Sequence, residues 1–188
     1  MFFQIIAIII LLAFYGTFFA SQFLNRKKGE KSEHSFSITN INTESAFGLI
    51  LTAAVSLVGI AELASALLPK DLRMLPIPVR ILGMLLAVAG TGMFVLSVLS
   101  LRSSDNELVK TGIYGWSRNP SFFGFDLLFA GMLLMFFSTP LLLLSAFAAV
   151  MFHIQIMVEE RRLSKSFGAK YTEYKKAVRR YFGKRNAD

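Results

Sequence analysis

The chain has 188 residues, 54% of them hydrophobic and 17% charged, with a mean hydropathy of +0.56, and that apolar content exceeds what one soluble domain of this length can bury. The formal charge of +8 does not point to nucleic acid, because the lysines and arginines border apolar stretches and form no separate basic face with interleaved aromatics; anionic lipid headgroups are the expected partner. With no cysteine, thiolate metal sites, disulfides and cysteine nucleophiles are excluded, and His34 and His153 alone cannot make a zinc site, so no metal is expected.

The pattern reads as a single all-α membrane domain with about five transmembrane helices, the last two forming a tight hairpin. Phe2 to Leu24 is an unbroken apolar stretch with no basic residue before it, which reads as a retained anchor rather than a signal peptide. Ala46 to Leu68 and Val79 to Leu101 follow, and each exceeds the roughly 20 residues needed to cross a hydrocarbon core. Between the first two spans, Glu30 to Asn42 is a solvated loop, and Pro69, Pro76 and Pro78 punctuate the turn before the third. The run from Phe122 to Val158 is long enough for two passes, 122–137 and 141–158, broken at Ser138-Thr139-Pro140 with Thr139 as N-cap and Pro140 at the first helical position.

Alternating these spans places Arg26, Lys27, Lys28, Lys31, Arg102, Lys110, Arg118 and the whole tail on one side, against Lys70, Arg73 and Arg80 on the other. The positive-inside rule then puts the N-terminus outside and the C-terminus in the cytoplasm. From Glu159 onward Leu163, Phe167, Tyr171, Tyr174, Val178 and Phe182 recur at three and four among lysines and arginines, which predicts an amphipathic cytoplasmic helix over 159–183. Such a helix lies in the headgroup region or caps a cytoplasmic cavity.

Ionisable groups inside a membrane are costly and so mark candidate sites. Glu62 falls in the second span, Asp126 in the fourth, and His153 with Gln155 in the fifth; Glu62 sits near enough to an interface to be hydrated. Glu159 and Glu160 close the fifth span, about 100° apart on a helix, so one can face a cavity while the other faces elsewhere. Gly90-Thr91-Gly92 removes side chains from the third span, as helix packing or close ligand approach requires. The loop from Leu108 to Gly124 carries two glycines before an arginine and an Asn-Pro at a helix start, where free amide donors and the Arg118 fork suit an anionic group.

The run Leu108 to Gly124, with Arg118-Asn119-Pro120-Ser121-Phe122-Phe123-Gly124, followed by Glu159-Glu160 and then Phe167-Gly168-Ala169-Lys170-Tyr171-Thr172-Glu173-Tyr174, resembles the C-terminal half of the isoprenylcysteine carboxyl methyltransferase and phospholipid methyltransferase superfamily. Asn-Pro in place of His-Pro, together with Gly90-x-Gly92, is similar to the phosphatidylethanolamine N-methyltransferase branch. The resemblance implies a membrane enzyme that binds S-adenosylmethionine near the cytoplasmic interface and methylates a lipid or lipid-modified acceptor from the bilayer. It implies Gly90, Gly92, Tyr114, Arg118, Asn119, Pro120, Glu159, Glu160 and Tyr171 as cofactor contacts, with Asp126, His153 and Arg118 as catalytic candidates, the first two as bases. Asn119 in place of histidine removes a titratable imidazole, and Phe122 in place of tyrosine removes a hydroxyl. These departures favour the competing reading, a non-catalytic membrane scaffold that keeps the fold.

Overall fold

A computed structural model describes residues 2–28, 57–64, 75–102 and 108–184. Its regular elements are helical: α1 (Phe2–Lys28), α2 (57–64), α3 (Ile77–Arg102), a short 3-10 turn (Gly112–Gly115), α4 (Pro120–Met135) and α5 (Thr139–Ala177). Among the described residues, three helices, α1, α3 and α5, are long and apolar enough to cross a membrane. The second predicted span, 46–68, lies outside the described residues except at 57–64, as does the loop Glu30 to Asn42. At 16 residues, α4 is about 24 Å long, shorter than a full hydrocarbon core. Of the five expected crossings, three coincide with long apolar helices and the fourth with the shorter α4, while the second is described only at 57–64.

The strongest packing joins α3 to α4, and glycine explains it. A Cβ on Gly90 would lie 2.5 Å from the carbonyl oxygen of Gly124, and one on Gly83 would lie 2.6 Å from that of Gly131. These pairings make the two helices antiparallel, with glycines seven apart on each and Ala87 pressed against Gly131 between them. Within lipid, where tails are as apolar as any side chain, such close backbone approach is what draws helices together. The opposite face of α3 exposes Leu85, Val88, Leu96 and Leu99, a surface suited to lipid.

Aromatic rings fill the space where the helices converge. Phe125 on α4 meets Phe14 of α1 at 4.6 Å, Phe94 of α3 at 5.1 Å and Phe152 of α5 at 4.9 Å between centroids, separations at which edge and tilted pairs are favourable. Phe122, whose missing hydroxyl set it apart in the sequence, is buried against Phe152 at 5.4 Å, so this position serves packing. On the outer flank, Tyr15 of α1 donates to Glu62 of α2 at 3.0 Å. Glu62 is wholly buried, contrary to its expected hydration at an interface.

The hairpin between α4 and α5 forms as expected, but its cap differs. Ser138, not Thr139, is the N-cap: its extended backbone turns its hydroxyl to accept from the Leu141 amide at 3.3 Å, leaving Thr139 and Pro140 within the first turn. The expected amphipathic helix 159–183 is not a separate element. It continues α5, breaks at Gly168, whose φ of 51° and ψ of −121° are open to glycine alone, and ends at Ala177. Beyond it the chain turns back in a small hairpin closed by a bridge between Val178 and Lys184, because its backbone finds partners in the loop before α4 rather than in another helical turn.

Candidate active site

The 3-10 turn and the start of α4 bring a set of buried polar groups against the inner end of α5, just past Val158, where its apolar stretch ends. Tyr114 points into the bundle, sharing a hydrogen bond with Ser97 at 2.8 Å, while Ser97 also bonds Ser121. Ser97 continues the small-residue stripe of Gly83 and Gly90 by one further seven-residue step, so the same close approach that packs α3 on α4 makes room for this hydroxyl trio. The Tyr174 hydroxyl donates to the Tyr114 carbonyl at 2.7 Å and lies 3.4 Å from that of Ser117, tying the last turns of α5 to the loop.

Arg118 and Glu160 are both buried, with Arg118 Nη1 3.2 Å from Glu160 Oε1. That contact has the distance of an ion pair but not the angle of a hydrogen bond, and Arg118 Nε and Nη1 are left as buried donors with no hydrogen-bond acceptor. Arg180 donates from Nε and Nη2 to the two oxygens of Glu160 at 3.1 and 2.9 Å, the bidentate geometry that guanidinium favours. Glu160 therefore holds two cations. Glu159 is equally buried, and its Oε2 has no hydrogen-bond partner. Burial raises its carboxyl well above the usual carboxylate range, opposed by Arg162 and reinforced by Glu160. Tyr171, almost fully buried, has its phenol pushed up to about 12 by burial and by Glu160, with Arg118 opposing.

Tyr114, Arg118, Asn119, Pro120, Glu159, Glu160 and Tyr171 are all buried in this one region. Asn119 does not cap α4 with its side chain; its Nδ2 donates to the Arg180 carbonyl at 3.2 Å. Gly90 and Gly92 are placed elsewhere and apart from one another. Gly90 is spent on the α4 contact, whereas a Cβ on Gly92 would meet nothing within 4 Å, because two residues along a helix turn roughly 200°.

Asp126 and His153 form a second group. His153 Nδ1 and the Tyr181 hydroxyl are hydrogen-bonded and their rings stack. Burial raises the Tyr181 phenol, with Arg180 opposing and Asp126 and Glu160 adding to it, so Asp126 lies within electrostatic reach; its Oδ1 is buried without a hydrogen-bond partner. Sequence reasoning missed Ser97, Ser121, Arg180 and Tyr181. The seven-residue spacing of Gly83, Gly90 and Ser97 was a readable signal for the first, but nothing periodic marks the last two.

The family model described as phospholipid methyltransferase matches residues 79–170, which take in α3, the 3-10 turn, α4 and α5 as far as Lys170. Over that stretch the chain is similar to the phospholipid methyltransferase family. The protein-S-isoprenylcysteine O-methyltransferase of Saccharomyces cerevisiae is 40% identical over 89 residues, covering 43% of this chain and 34% of the yeast protein. The chain thus spans about a third of that relative's length. With its long apolar helices the chain is an integral membrane protein, and the matched stretch holds Tyr114, Arg118, Glu159 and Glu160. The stretch stops just before Tyr171, Tyr174 and the terminal hairpin that carries Arg180.

Proposed function

We propose that the chain is an S-adenosylmethionine-dependent methyltransferase acting on a lipophilic or lipid-anchored acceptor at the cytoplasmic membrane interface, with its N-terminus outside. The observation that carries this reading is a pair of opposite unmet groups beyond the apolar stretch of α5: the buried donors Arg118 Nε and Nη1, and the buried acceptor Glu159 Oε2. A zwitterionic amino-acid end answers both, its carboxylate suiting the guanidinium and its ammonium the carboxylate. The cofactor, when bound, supplies a methyl group on a cationic sulfur already activated for transfer.

The chain's own residues then have distinct tasks. Arg118 holds an anionic end, and Glu159 accepts from an ammonium or from ribose hydroxyls while favouring nearby positive charge. Tyr114, fixed by Ser97, forms a wall, and Tyr171 and Tyr174, both buried, exclude water from the charged groups, which strengthens each interaction. An amine acceptor has to lose a proton before it can attack, and Asp126 Oδ1 is a buried acceptor available for it.

Titration of the purified protein in lipid nanodiscs with S-adenosylmethionine and with its demethylated product tests the first part. Binding of both ligands is expected, followed by transfer of labelled methyl to a component of native lipid extract. Failure to bind either ligand overturns the reading. For the base, Asp126→Ala is expected to lower turnover on an amine acceptor by roughly 100-fold or more, as removal of a general base does, with product affinity retained; unchanged turnover removes Asp126 from that role.

A further inference from the structure

We infer that the terminal hairpin, 178–184, is a working part of the ligand site and that Arg180 is a positioning residue which keeps Arg118 open to an anionic group. The inference rests on the cofactor reading above.

The hairpin is fastened to the loop before α4 through its main chain and the Phe182 ring. The Arg118 amide donates to the Arg179 carbonyl at 3.1 Å, and the Gly183 amide to the Trp116 carbonyl at 2.6 Å. The Arg180 carbonyl accepts from Asn119 Nδ2 at 3.2 Å and lies 3.5 Å from the Ser117 hydroxyl. Phe182 lies over Trp116 at 6.0 Å and Phe123 at 5.8 Å, both stacked. The segment that bears Arg118 is thus held from the side by residues that begin beyond the family stretch.

Charge geometry gives Arg180 its particular part. Glu160 is one buried carboxylate facing two guanidiniums. Arg180 occupies both of its oxygens in a fork, so Arg118, which also bonds the Tyr171 side chain, keeps only the ion contact of Nη1 with Glu160 Oε1, and its Nε and Nη1 have no hydrogen-bond acceptor. A buried donor without an acceptor costs free energy, and here the cost persists because the better-placed fork has taken the available anion. Without Arg180, Arg118 gains Glu160 for itself and turns its donors away from the ligand. Arg180 itself is partly exposed, with a side chain 36% accessible against 6% for Glu160, consistent with a residue that acts through another.

The test compares wild type, Arg180→Ala and Arg180→Lys in nanodiscs, measuring product affinity by calorimetry and KM and kcat for S-adenosylmethionine. Arg180→Ala is expected to raise Kd and KM on the order of tenfold or more, the scale of one charge-assisted hydrogen bond, with kcat changed less than about threefold. Arg180→Lys, which supplies charge without a fork, is expected to recover only part of the loss. Wild-type binding together with wild-type Kd and KM in Arg180→Ala overturns the inference and leaves the cofactor reading standing; absence of binding by wild type overturns both. Should Arg180→Ala not fold, Arg180→Lys carries the test: an affinity equal to wild type overturns the inference and a loss supports it.

Discussion

Glu159→Gln is expected to weaken S-adenosylmethionine binding by roughly 10- to 100-fold, the range of a hydrogen bond to a charged group, and to abolish its pH dependence. Gln keeps the shape and removes the charge, so the change isolates electrostatics. Burial raises the Glu159 carboxyl well above its ordinary range, with Arg162 opposing and Glu160 adding to the rise. The unfolded value is near 4.3, so the carboxyl's contribution to stability is full below about pH 4 and is lost as pH rises through the elevated folded value. A cationic ligand selects the ionised form. Its affinity is therefore expected to rise with pH across the same window and its binding to release a proton, seen as a buffer-dependent enthalpy in calorimetry. Wild-type affinity in Glu159→Gln, with proton release unchanged, would falsify the assignment. Comparison of the two ligands adds detail: a variant that loses affinity for S-adenosylmethionine alone places Glu159 beside the sulfonium, and equal losses place it against groups the two ligands share.

Gly124→Val is expected to prevent assembly of the membrane core. A Cβ at that position would stand 2.7 Å from the Gly90 carbonyl oxygen and 3.1 Å from the Phe94 amide, and neither is the flexible end of a side chain. Relief requires α3 and α4 to separate, which parts Phe94 from Phe125 and Ser97 from Ser121. Overpacking alone costs about 1–3 kcal/mol and occasionally more, and here the lost contacts add to it. Detergent-solubilised protein is expected to melt well below wild type or to elute as aggregate. Gly92→Ala, whose added carbon meets nothing within 4 Å, is expected to melt as wild type does, and equal effects from the two substitutions would contradict the packing role.

Much of this architecture was legible because the membrane imposes length and polarity directly on sequence. The third span and the α4–α5 hairpin fell close to their expected positions, since a Ser-Thr-Pro break inside an apolar run has few other meanings. The grouping of Tyr114, Arg118, Glu159 and Glu160 was legible for a different reason: the motif and the acidic pair are recognisable by resemblance. The fork that Arg180 makes on Glu160 was not, because it spans 20 residues of chain and leaves no repeat. The partner of Asn119 Nδ2, the Arg180 carbonyl, was not legible either, since main chain carries no sequence signature. Gly90 and Gly92 looked like one motif, yet their division between an interface and open space follows from helix rotation, which spacing alone reveals only once the partner helix is known.

The break at Gly168 decides where the last turns of α5 go. Any side chain there would resist its backbone angles, and the energetically easier course would be a straight continuation of α5 as a rod projecting from the bilayer. Tyr171 and Tyr174 would then leave the buried positions they hold beside Tyr114 and Arg118, and the charged groups there would open to bulk water. One hydrogen atom in place of a methyl group thus decides whether these charges stay sheltered from water.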